Sequence, residues 1–388
     1  MTRRVRRTRW AFLRCADGAY LDVGSLLRGD ARLELEPQLR SVSILTGVEH
    51  DLEAEELELL LALPSDEAVE TDDPGIDALV EKGLVVVEGA ENETRDLLVS
   101  QSNWNLYGAL FHSFSRWHGV DVDLDVADEV DERLVADVTQ QFVDLHGAPP
   151  EHFHETPRAL AVQPLPLVDA GDGVFGALAR RKTSRRFDRS QRLQETQLAL
   201  LLRAVFGVQG TAVISGEIQG VRKTSPSGGG LHPVEAYPLV LDAEGVEPGL
   251  YHYRSGSHEL ALLERIARPD AEELAERFTG GQAYFRDASV LVVMAARFGR
   301  SFWKYRGHEK AYAVTLMDAG HLSQSFYLVC AELGLGAFVT AAINNVDIDI
   351  RLGLDGFAQG SLAIVGCGPL VEESSYLQPE FTAHRPPR

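Results

Sequence analysis

The sequence predicts an α+β protein in which a central sheet flanked by helices follows a winged-helix-like N-terminal domain. Three observations carry this reading. In the first 90 residues two short apolar helices, a glycine stop and an apolar strand succeed one another. Beyond residue 171, apolar strand runs at 236–242, 288–297, 337–343 and 361–366 are interleaved with helical patterns. Between those runs the stretch Thr224-Ser225-Pro226-Ser227-Gly228-Gly229-Gly230-Leu231-His232-Pro233 leads directly into a buried-looking strand. Three glycines without side chains offer a backbone that something flat or anionic can approach closely. A flexible linker is the bland alternative, but Pro226 and Pro233 stiffen both flanks.

The N-terminal elements come first. Arg3, Arg4, Arg6, Arg7 and Arg9 precede Trp10-Ala11-Phe12-Leu13, so the basic cluster reads as the solvated start of a strand rather than a nucleic-acid arm. Asp17-Gly18 turns into a second short run, 19–23. Residues 53–63 carry five leucines on a short helix that Pro64 stops. Pro74-Gly75 opens a helix over 76–82, Gly83 closes it, and the strand 84–87 follows. The acidic Asp77 and Glu81 of that second helix argue against DNA and for a protein or peptide partner, or for a structural wing.

Residues 91–170 connect this module (1–90) to the main domain (171–388). An aromatic helix is expected around 104–112. Residues 120–126 alternate as a strand would, and lack the glycine and terminal glutamate of a calcium loop. The larger domain should contain helices at 174–181, 195–206, 270–278, 312–333 and 347–352, with further strands at 249–254 and 258–264.

Bulk properties narrow the function. The 388-residue chain has a net charge of −21, against wholesale nucleic-acid binding. No apolar run reaches the length of a membrane span and no signal peptide is visible. Three widely spaced cysteines suggest reduced thiols and a cytoplasmic setting. His152 and His154 lack a partner cluster in the sequence, so no metal site is expected.

The chemistry concentrates in two places. Arg180-Arg181-Lys182-Thr183-Ser184-Arg185-Arg186 packs five cations and two hydroxyls into seven residues of an acidic protein. Guanidinium forks and hydroxyls suit phosphate oxygens, although a solvated basic turn has the same composition. Together with the glycine loop they suggest a phosphorylated planar cofactor. A strand–GxGxxG–helix dinucleotide motif is missing, as is a P-loop.

These residues resemble a known family. Arg181-Lys182-Thr183-Ser184-Arg185-Arg186-Phe187 is similar to the Arg-(Arg/His)-Ser-x-Arg-x-Phe opening of FMN-dependent nitroreductase-fold enzymes. The run from Pro226 to Tyr237 resembles the Pro-Ser-Ala-Gly-Ala-Leu-Tyr-Pro stretch of SagB-type dehydrogenases, and Pro248-Gly249-Leu250-Tyr251-His252-Tyr253 resembles their Pro-Gly-Leu-Tyr-x-Tyr strand. Trp303-Lys304-Tyr305, Asp318-Ala319-Gly320-His321 and Leu333-Gly334-Leu335-Gly336-Ala337 are similar to further motifs in the same order. The likeness covers about 175–370 and points to the peptide-maturation dehydrogenases.

The resemblance implies a nitroreductase-like fold, FMN, and a homodimer with flavin at the subunit interface. It also implies a precursor peptide whose azoline-type ring is oxidised, and complexes with other peptide-modifying enzymes. Arg181, Lys182, Thr183 and Arg185 would hold the FMN phosphate and ribityl chain. Pro226, Ser227, Gly228 and Gly229 would lie along the flavin, and Gln324, Thr340, Ala341 and Ala342 would complete its site. Backbone N–H groups near Ala341 and Ala342 would face the flavin N5 edge. Lys304 and Tyr305 would handle a substrate proton, the lysine as a base made available by burial. The N-terminal module would bind the leader of the precursor.

The sequence departs from the family in places. Gly228-Gly229-Gly230 and His232 replace Ala-Gly-Ala and Tyr, the interval from Lys304 to Asp318 is longer, and Ala341-Ala342-Ile343-Asn344 stands where Gly-Ala-Phe-Asp is usual. Two other functions fit the residues: a nicotinamide-driven reductase of nitro or quinone compounds, and a non-catalytic peptide-binding scaffold.

Overall fold

The computed structural model describes residues 2–21, 33–122, 140–151, 153, 156–166, 171–216 and 218–371. The expected runs at 19–23 and 120–126 lie partly outside the described residues; His152 and His154 lie wholly outside them.

An N-terminal sheet-containing region precedes the main sheet. β1 (Arg3–Arg7) is the middle strand between β5 (Val69–Thr71) and β6 (Val85–Val87), both antiparallel to it. β2 (Ala11–Leu21), β3 (Leu33–Ser43) and β4 (Val48–Asp51) form a second antiparallel sheet. Helices α1 (Ala54–Ala62) and α2 (Ile76–Glu81) bury Leu60, Ile76 and Leu79 against Val5 and Val85. The leucine helix ends just before Pro64, and Gly83 takes the left-handed φ of +66° that lets the chain reverse into β6. Helix α3 (Glu91–Gln101) completes this region. Its fully buried Asp96 accepts from Arg6 Nη1 (2.7 Å), Thr8 Oγ1 (2.6 Å) and the Arg9 N–H (3.1 Å). Three donors to one carboxylate satisfy a charge that would otherwise be costly to bury.

Helix α4 (Leu106–Phe114) is N-capped by Asn105, whose side chain accepts from the N–H groups of Tyr107 and Gly108. It docks on the main domain through aromatic rings: Trp104 lies 4.8 Å from Phe298, 4.6 Å from Phe302 and 5.4 Å from Tyr312, centroid to centroid. The buried His112 bridges Tyr312 Oη (3.0 Å) and the Gly356 carbonyl (2.6 Å).

The remaining helices are α5 (Val174–Arg180), α6 (Glu195–Val205), α7 (Arg268–Phe278), α8 (Phe298–Lys304), α9 (Ala311–Glu332) and α10 (Asn345–Leu352). The strands are β7 (Gly210–Ser215), β8 (Ile218–Arg222), β9 (Val234–Val240), β10 (Gly249–Arg254), β11 (Glu259–Arg265), β12 (Val290–Arg297), β13 (Leu335–Thr340) and β14 (Gln359–Pro369). Six of these strands form an antiparallel sheet in the order β11-β10-β9-β12-β14-β13. β12 shows why both faces need helices. Val290, Val292 and Met294 point into a core with α6 and α9, while Leu291, Val293 and Ala295 point into one with α7 and α10. Such a strand reads as a continuous apolar run. β13 stops at Thr340, earlier than the apolar run to residue 343 suggests. The Ala342 N–H turns to Thr340 Oγ1 (3.2 Å), and the buried Asn344 side chain donates to the carbonyls of Val120 and Arg277.

Candidate functional site

The long helix α9 positions the residues singled out in the sequence. Val314, Asp318, His321 and Ser325 recur at i, i+4, i+7 and i+11, one face of a helix, and that face grips the glycine loop. Asp318 accepts from Ser227 Oγ (2.6 Å) and from the Gly228 N–H (3.0 Å). His321 Nδ1 lies 3.2 Å from the Pro226 carbonyl, and Ser325 Oγ lies 2.7 Å from Ser225 Oγ. Ser227 Oγ also accepts from the His232 N–H (2.8 Å), closing the loop on itself. His232 sits at a φ of +47°, a left-handed conformation uncommon for a residue with a Cβ.

The loop is a shelf without spare room. A Cβ at Gly228 would stand 2.0 Å from Val314 Cγ1. One at Gly229 would meet Tyr305 Oη at 2.7 Å and Lys304 Nζ at 2.8 Å. Lys304 and Tyr305, far from Gly229 in sequence, therefore converge on it. Helix α8 and the aromatic cluster around Trp104 hold them there: Phe298 and Phe302 are fully buried, and the Asn105 side chain donates to the Gly307 carbonyl. One expectation needs correction. Lys304 is exposed and Tyr305 only half-buried, so burial within this chain does not prepare the lysine as a base.

Nine residues beyond Asp318, about 14 Å on the helical rise and half a turn round to the opposite face of α9, Tyr327 organises the cationic turn. Its hydroxyl lies 2.9 Å from Thr183 Oγ1 and accepts from the Val339 N–H (3.1 Å). The Arg181 guanidinium stands over its ring at 5.5 Å. The turn is stitched to the edge of β13 by a bridge between Thr183 and Ala337, and the Ser184 N–H donates to the Ala337 carbonyl (2.7 Å). Arg185 hydrogen-bonds the side chain of Tyr284, and Lys182 is exposed. Ser184 Oγ is wholly buried and has no hydrogen-bond partner, which marks a place where a polar group is expected to meet it. A cavity of about 310 Å³ opens there, lined by Arg181, Lys182, Ser184 and Tyr327.

Gln324 is exposed on α9, off the face that grips the loop. Thr340 Oγ1 accepts from Gln282 Nε2 (3.3 Å) as well as from Ala342. Of the two amides expected at a flavin edge, that of Ala342 is thus already committed, while Ala341 is exposed.

Sequence reasoning passed over three features. Asp318 was visible only within a motif, and its grip on Ser227 spans 91 residues. The β7–β8 hairpin carries exposed isoleucines with no readable alternation. Lys223, at the end of that hairpin, has its amine pushed down by burial and by Arg300 and Arg297, against Glu235. His232 is also pushed down, by burial and then by Lys223 and Arg300. A second cavity, of about 700 Å³, lies between the hairpin, Gly229–Gly230 and α8. Among the described residues no group of three potential metal ligands comes together, and no helix is long and apolar enough to cross a membrane.

Residues 178–368 match the nitroreductase family. The trifolitoxin-processing protein TfxB of Rhizobium leguminosarum bv. trifolii is 31% identical over 145 residues, 37% of this chain and 38% of the relative. The microcin B17-processing protein McbC of Escherichia coli is 29% identical over 140 residues, 35% of this chain and 50% of the relative. The chain spans at most 61% of the length of the curated relatives it matches. Among solved structures, the E. coli microcin synthetase McbBCD complex with truncated pro-MccB17 bound is similar at 19% identity, with a TM-score of 0.47 over 64% of this chain and 97% of that one.

Proposed function

We propose that this chain, whose residues 178–368 form a nitroreductase-family domain, is an FMN-dependent dehydrogenase that matures a ribosomally synthesised, post-translationally modified peptide. Its substrate is an azoline-type ring or a related backbone site. The observation that carries this reading is the glycine shelf pinned by Asp318, closed by Lys304 and Tyr305, on the same helix whose Tyr327 orders the cationic turn. Relatives named for processing trifolitoxin and microcin B17 support the peptide assignment.

The residues present fit FMN. Gly228 and Gly229 leave no space for side chains, which keeps that backbone bare for a flat ring, and the orphaned Ser184 hydroxyl lies beside the cations that suit a phosphate. Arg181, Lys182, Thr183 and Arg185 hold the phosphate and ribityl end. Pro226, Ser227, Gly228 and Gly229 support the ring, with Gln324, Thr340, Ala341 and Ala342 at its margins. Bound FMN supplies the two-electron chemistry; the protein supplies position and proton handling. Aromatising a ring releases a proton, which Lys304 Nζ in its neutral form would take and Tyr305 Oη would relay. The exposure of Lys304 means that the substrate, or a second copy of the chain, must exclude water from it. A homodimer is part of this proposal, as are leader binding by residues 1–90, contact with other modifying enzymes and a cytoplasmic location.

Incubating the flavin-loaded protein with an azoline-bearing precursor and following its mass tests the reading. Loss of two hydrogens per ring is expected. An unchanged peptide together with rapid NADPH-driven turnover of nitroaromatics would favour the reductase instead.

A further inference from the structure

The 700 Å³ cavity beside Gly229 and Gly230 has walls of two kinds. On one side the β7–β8 hairpin presents Ile214 and Ile218, 69% and 51% exposed; on the other, α8 presents Trp303, 55% exposed. Exposed apolar groups facing one another across a cavity are an unfinished contact. The charged part of the lining is cationic, Arg297, Arg300 and Lys304, beside the neutral Gln219, with no acidic residue among the described lining residues. That is unexpected in a chain with 58 acidic and 37 basic residues.

Glu235 offsets part of this charge through its 3.1 Å contact with Arg297. Arg300 instead donates to the backbone carbonyl of Leu231, and Lys304 stands over the Tyr305 ring. Neither has a carboxylate partner among the described residues. The amine of Lys223 and the imidazole of His232 are pushed down first by burial and, in smaller part, by Arg300.

We infer that this cavity is the subsite for the peptide residues flanking the reacting ring, and that it selects a segment alternating apolar and acidic side chains. The inference rests on the peptide reading above. Apolar side chains would fill the space between Ile214, Ile218 and Trp303, while a carboxylate meets Arg300 and leaves Lys304 to the reacting ring. That one open ion pair contributes a factor of roughly two to five in selectivity.

The test is isothermal titration of the full chain with acetyl-Leu-Glu-Leu-Glu-Leu-amide and its Gln and Lys counterparts. At low salt the Glu peptide should bind roughly two- to fivefold more tightly than the Gln peptide. The Lys peptide should bind weakest, and the differences should shrink near 1 M salt, where screening reaches ~3 Å. Ile218→Glu, an exposed change on the hairpin, should erase the preference, and Ile218→Lys should strengthen it. Equal binding of the Glu and Gln peptides would overturn the inference. So would displacement of the Glu peptide by NADPH in simple competition, which would give the cavity to a dinucleotide. Binding heat needs no flavin, so a colourless protein that still selects the Glu peptide would sink the flavin assignment and leave this one standing.

Discussion

Replacing Gly228 by alanine probes the shelf at its tightest point. The added Cβ would lie 2.0 Å from Val314 Cγ1, far inside contact distance. Val314 cannot swing aside cheaply, because a β-branched residue in a helix has one strongly preferred χ1. The loop must therefore lift, drawing the Gly228 N–H and Ser227 Oγ away from Asp318. Overpacking of this kind costs ~1–3 kcal/mol, and a hydrogen bond to a charged group is worth about 1.5–3 kcal/mol. The two routes together span roughly 1–3 kcal/mol removed from the cofactor-ready loop, which is roughly 5- to 150-fold in FMN affinity. Titrating the apoprotein into FMN and following the quenching of flavin fluorescence reads the affinity directly. Adding Val314→Ala removes the clashing methyl and should restore most of the loss, so the two sites should couple in a double-mutant cycle. Wild-type affinity in Gly228→Ala would refute the reasoning, as would a loss that Val314→Ala leaves in full.

Three other outcomes follow from the same structure. Lys304→Ala and Tyr305→Phe should keep the flavin yet lose about 10²- to 10⁴-fold in peptide turnover, whereas Arg181→Ala should lower flavin content first; wild-type turnover by Lys304→Ala would take that lysine out of the proton step. His112 is held neutral by burial, its imidazole pushed down from 6.5 to about 3, so between those values the unfolded chain binds the extra proton and stability falls as the pH falls. On the order of 1.4 kcal/mol per pH unit is at stake within that window. Guanidinium melts at pH 7 and pH 5 should therefore show a larger acid loss for wild type than for His112→Phe, and equal losses would contradict the assignment. Charge reversal of the exposed Asp77 and Glu81 should weaken precursor binding without changing flavin content; unchanged peptide affinity would leave α2 a structural element.

The parts of the fold that the sequence made legible are those fixed by local chemistry. Pro64 and Gly83 end helices because proline cannot continue one and glycine accepts a φ of +66°. The run 288–297 reads as a strand because both of its faces are buried, and the structure divides them between two cores. The glycine loop and the cationic turn were visible as unusual compositions. What joined them was not. Asp318 reaches Ser227 and Tyr327 reaches Thr183 across long sequence separations, from opposite faces of the one long helix α9. The β7–β8 hairpin escaped notice because its isoleucines point outward, where no core imposes a period. The exposure of Lys304 was hidden for a related reason: a lysine at a helix end reads alike whether it faces solvent or a covered site.

The central claim, that the glycine shelf and the cationic turn are the two parts of a flavin site, is tested most directly by the absorbance of the purified full chain. A yellow protein with flavin bands, releasing FMN on denaturation, is the predicted result. Protein that stays colourless after incubation with excess FMN would contradict it.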